Sequence, residues 1–75
     1  MSKLREYDVV VLLNDMPEQG LRAGDIGTIV GDYSDSAAEV EFMTREGVTI
    51  AVLTLNKDQL RKADQVDLLR HKMTP

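Results

Sequence analysis

Apolar residues along this 75-residue chain recur mostly at the two-residue spacing of strands, in short runs cut by glycine and polar clusters. Tyr7 to Leu13 is aliphatic and β-branched, with Val9, Val11 and Leu13 on one face and Val10 and Leu12 on the other. A run apolar on both faces predicts a strand covered on both sides. Ala38 to Met43 alternates instead: Ala38, Val40 and Phe42 share one face, Glu39 and Glu41 the other. That is the pattern of a half-buried strand with one wet face. Val48 to Leu55 is a further strand, again apolar on both faces. Thr44-Arg45-Glu46-Gly47 joins the last two as a hairpin, with glycine where a positive φ is often needed.

The segments between these runs carry turn chemistry. Asn14 to Ala23 contains Pro17 and Gly20 and reads as a long hairpin-like loop, not a helix. Its apolar exceptions are Met16 and Leu21, and Leu21 is expected to plug one end of the core. Gly24 to Gly31 holds three glycines in eight residues and predicts a strongly curved second strand. Gly24-Asp25 forms its entry turn, and Gly27 admits a close neighbour. Asp32 to Ser36 is polar turn material. Asn56 can cap one helical turn before a short closing strand, Leu60 to Ala63. Asp64 can cap a tail in which Val66, Leu69 and Met73 fall at helical spacing. A helix that short is marginal alone, so its stripe needs a surface to rest on.

Five short strands, with a helical turn before the last, predict an all-β, SH3-like five-stranded small barrel over residues 1–63. Residues 64–75 form a short helical or extended tail, packed on the barrel or on a partner. Closure of the barrel would remove exposed sheet edges. At 75 residues there is material for one core only. Such a domain buries only about 60% of the surface of its unfolded chain, which leaves little stability for a deep cavity.

The chain has no cysteine, so disulfides and thiolate metal sites are excluded. Small secreted domains usually need such staples, and the N-terminus lacks an apolar signal core, so a cytoplasmic setting is expected. Val9 to Leu13 is far too short to span a membrane. Thirteen acidic residues against nine basic give a net charge of -4, which disfavours nucleic acid. The basic cluster Arg61, Lys62, Arg70, His71 and Lys72 reads as a solvated C-terminal segment.

No constellation for catalysis stands out. The single histidine, His71, lies in the tail without a strand-held acidic partner. Glu39 and Glu41 share the wet face of a strand, and Asp32 and Asp35 share a turn that lacks an EF-hand ligand series. Gly24-Asp25-Ile26-Gly27 runs into a strand rather than a helix, so it is no phosphate cradle. No enzyme, cofactor or metal is expected. Tyr7, Tyr33 and Phe42 are the only aromatic residues, too few for an aromatic ligand groove.

Several stretches in order carry a family resemblance. They are Tyr7-Asp8-Val9-Val10-Val11-Leu12, Asp15-Met16-Pro17-Glu18 with Gly20-Leu21, Gly24 to Val30, Glu39 to Phe42, and Thr49 to Leu55. From Tyr7 to about Leu60 the chain resembles the bacterial family "domain of unknown function 4926". Gly24 to Val30 also looks like the glycine turn of KOW-type barrels. The resemblance implies a short stand-alone bacterial domain of SH3-like fold, encoded beside a partner protein. By extension it implies an antitoxin-like or immunity-like role, and it assigns no functional residue.

The expected function is therefore a non-catalytic protein-binding module, with a KOW-like RNA-binding module as the alternative. The motive is a surplus of apolar faces over what one small barrel can bury, to be covered by the tail, by self-association or by a protein partner. Burying about 400 Å² of it is worth on the order of 10 kcal/mol gross, before association costs. The candidate partner-binding residues are Met16, Leu21, Tyr33, Val66, Leu69 and Met73.

Overall fold

The computed structural model describes residues 4–44 and 46–73. Five antiparallel strands make one sheet: β1 (Val9–Leu12), β2 (Ile26–Asp32), β3 (Ala37–Met43), β4 (Thr49–Asn56) and β5 (Leu60–Lys62). Their order is β4-β3-β2-β1-β5, and a short helix, α1 (Gln65–Met73), follows. The fold is all-β, small and barrel-like. Among the described residues β4 and β5 are not paired with each other, so the sheet keeps two edges.

The core forms where the alternation put it. Val10 and Leu12 of β1, Ile29 of β2, and Ala38, Val40 and Phe42 of β3 are buried together with Leu55 and Leu60. Leu21 reaches the same cluster from the loop before β2. That loop is hairpin-like, and it includes a single 3-10 turn, Pro17–Gln19, where no helix was expected. Proline opens the turn and Gly20, at φ 73°, closes it. Met16 and Leu21 exchange backbone bonds of 2.9 and 3.1 Å across its base, which aims Leu21 inward.

Glycine matters most at Gly27. An alanine β-carbon there would lie 2.8 Å from Val40 Cγ1 and 2.9 Å from both Glu41 O and Phe42 Cδ1. Only a bare α-carbon lets β2 approach β3 this closely. Two residues on, the β2–β3 register slips between Ile29 and Gly31, a bulge that bends the sheet.

Turns set where the first two strands begin. The chain turns at Arg5 to Asp8, where Asp8 N–H donates to Arg5 O at 3.0 Å, so β1 begins at Val9 rather than Tyr7. A second turn spans Arg22 to Asp25 with Gly24 at φ 97°, so β2 begins at Ile26. The turn before β5 occupies Lys57–Gln59, and Gln59 Oε1 accepts the Asn56 N–H at 3.1 Å.

Candidate functional site

At nine residues α1 is too short to persist in water without help. Its help is polar. Asp67 N–H donates to Asp64 Oδ1 and Asp64 N–H donates to Asp67 Oδ2, both at 2.9 Å, a reciprocal cap on the first turn. Arg61 of β5 grips the same Asp67 carboxylate with two N–H donors, at 2.7 and 2.8 Å. This bidentate pair fixes the helix to the sheet. Arg61, together with the Asp64 N–H, holds the Asp67 carboxyl well below the usual carboxylate range. The same contact pushes the Arg61 guanidinium up.

Anchoring by Asp67 turns the apolar side chains of α1 outward. Val66 is 54% exposed and Leu69 51%, and Leu68 is exposed beside them. Val66 and Leu69 of the expected stripe are therefore turned to solvent. Between α1 and the β3–β4 hairpin runs a groove lined by Val11, Ile26, Met43, Ile50, Asp67 and Arg70. Val11 is buried on the sheet face opposite the core, which accounts for the second apolar face of β1. The second face of β4 has no such cover: Ile50 is 44% and Val52 48% exposed.

A second cleft, which shares Arg61 with the first, is lined by Leu4, Tyr7, Asp32, Asp35, Lys57 and Leu60 among others. Lys57 Nζ donates to Asp32 Oδ1 at 2.6 Å and to Leu4 O at 3.0 Å, tying the N-terminal segment to the turn before β5. Tyr7 stands at its rim, 74% exposed and at φ 73°. It occupies the third position of its turn, where glycine or asparagine is the ordinary choice at positive φ. A 2.7 Å bond from Tyr7 N–H to Ile29 O holds it there.

The six candidate residues do not gather at one place. Leu21 is part of the core, with no surface left for a partner, and Met16 packs against that core half-buried. Both were singled out as loop apolars, and the 3-10 turn between them draws them inward. Tyr33 is exposed, and its hydroxyl donates to Glu39 Oε1 at 2.6 Å, a bond that raises the phenol pKa. Val66 and Leu69 share α1, whereas the side chains of Met73 and His71 lie outside the described residues. The outer face of β4 belongs to the expected apolar surplus, though none of its residues is among the six candidates, and the Arg61–Asp67 anchor was not foreseen. The available signal for that face was the uncharged run from Gly47 to Asn56.

Residues 6–62 match the family described as "Domain of unknown function (DUF4926)". The chain belongs to this family. The DUF4926 match takes in all five strands and ends on β5, so Arg61 lies inside it while Asp67 and the rest of α1 lie beyond. No curated protein and no solved structure matches the chain. Among the described residues no helix is long and apolar enough to cross a membrane, and no three acidic or histidine side chains are grouped as a metal would require.

Proposed function

We propose that this chain is a non-catalytic protein-binding module of the bacterial cytoplasm, the antitoxin-like or immunity-like member of a two-protein pair. The observation that carries the reading is the orientation of α1. The helix is tied down by an ion pair, and it presents Val66, Leu68 and Leu69 to solvent beside an open groove. Exposed apolar side chains on a helix that borders a groove through Asp67 and Arg70 are what a partner helix or strand would cover. The strand order and the 3-10 turn before β5 support an SH3-like description of the scaffold.

The RNA-binding alternative is weaker. Lys57, Arg61 and Lys62 each lie within ion-pair distance of a carboxylate, Asp32, Asp67 and Asp8 respectively. Cations already neutralised in this way have less to offer phosphates.

The test is affinity purification of the tagged chain from its native cell, beside a Val66→Glu/Leu69→Glu variant. Both positions are exposed, so thermal unfolding should move little. A partner retained by the natural chain and lost by the variant is expected. Retention of the same partner by both would refute a binding role for α1.

A further inference from the structure

We infer that β4 is a self-association edge, at which a second copy of this chain adds its own β4 antiparallel across a two-fold axis. This goes beyond the α1 reading and does not depend on it.

The two edges of the sheet are unlike. β5 is three residues long and carries Arg61 and Lys62, the short charged kind of edge that resists pairing. β4 is eight residues long, and from Val48 to Asn56 it has neither a charge nor a proline. Val48, Ile50 and Val52 are exposed along it. Such an edge invites another strand.

The hydrogen-bonding groups are placed to receive one. Lys57 N–H donates to Ser36 O at 2.8 Å, which puts Lys57 and Ser36 in a bonded pair. Bonding alternates along an antiparallel ladder. Leu55, Leu53 and Ala51 therefore bond to β3, while the backbone N–H and C=O of Val52 and Thr54 point to the open edge.

Charge selects the occupant. Antiparallel pairing about a two-fold sets a strand against itself, so any charged residue meets its own kind or a close neighbour of it. Neutrality throughout is what self-pairing requires. A strand built for a charged partner would show the complementary sign somewhere on the edge. With the axis at Val52, that residue faces Val52 of the second copy and Ile50 faces Thr54. This register overlaps the whole of Val48 to Asn56 and pairs the outward-pointing N–H and C=O of Val52 with those of the second copy's Val52; at Ile50, opposite Thr54, the β3–β4 register shifts.

The experiment is sedimentation equilibrium over a concentration series, with amide hydrogen exchange on the same samples. The natural chain is expected to reach twice its 8.4 kDa mass. Val52→Lys should weaken that association about tenfold or more, by placing like charges opposite one another. Leu69→Glu should leave it unchanged. Protection of the Val52 and Thr54 amides should rise with concentration, a readout that holds even if the lysine variant folds poorly. A natural chain that stays monomeric overturns the inference and leaves the α1 reading standing. So does a dimer lost with Leu69→Glu but kept with Val52→Lys, which would place the second copy on α1.

Discussion

Replacing Gly27 with alanine puts a methyl group where β2 crosses closest to β3. All three nearest atoms lie at or under 2.9 Å, and one of them is the backbone oxygen of Glu41. The other two belong to Val40 and Phe42, both fully buried, so neither side chain has free space to turn into. The strands must separate locally or the core must repack, which costs about 1–3 kcal/mol. Alanine also narrows the unfolded ensemble, an offset of about 0.4–1 kcal/mol. The net expectation is a loss of about 1–2 kcal/mol, or a fall of roughly 4–16 °C in Tm for a domain of this size. Urea and thermal melts followed by far-UV circular dichroism measure it. Gly31→Ala is the comparison, because its nearest neighbours lie farther off, Glu39 Cβ at 3.3 Å and Oε1 at 3.4 Å, so they need give only a few tenths of an ångström. It should cost clearly less than Gly27→Ala. Equal stabilities for the two variants would refute the idea that close strand approach at Gly27 holds the fold together.

Tyr7→Gly removes an unfavourable left-handed backbone worth about 1–2 kcal/mol, against a glycine entropy cost of about 0.5–1 kcal/mol. The exposed ring has little burial to lose, so stability should hold or rise slightly in denaturant melts, and a clear loss would mean the ring is held by contacts of its own. Asp67 has its pKa lowered in the folded chain, so its contribution is complete above the unfolded value near pH 4 and is lost as pH falls toward the folded value. Helical signal from α1 should therefore fade below about pH 4 while the sheet persists, and Asp67→Asn should reproduce that state at neutral pH; an α1 indifferent to both changes would count against the Arg61 anchor.

Much of the sheet was legible because alternation is a local property. Ala38, Val40 and Phe42 point inward as their spacing demands, and Gly27 sits where only glycine fits. Tyr7 reads as strand from its type, yet its positive φ is imposed by Ile29, a residue of another element. The same limit applies to α1. Apolar spacing pointed to an apolar anchor, while the actual anchor joins Arg61 of β5 to Asp67 through space. An apolar second face can be covered, as Val11 is, or bare, as Val52 is. Strand order decides between them, because β1 is interior and β4 is an edge.

The pairing of β1 with β5 has a further consequence, for the order of events during synthesis. Val10 meets Lys62, a residue made 52 positions later. At about 5–20 residues per second the ribosome needs roughly 3–10 s to cover that stretch. Throughout it, one side of an unusually valine-rich strand has no neighbour. A pause in translation just after β4 would prolong the interval in which Val10 to Leu12 can be captured by a chaperone or by another nascent chain.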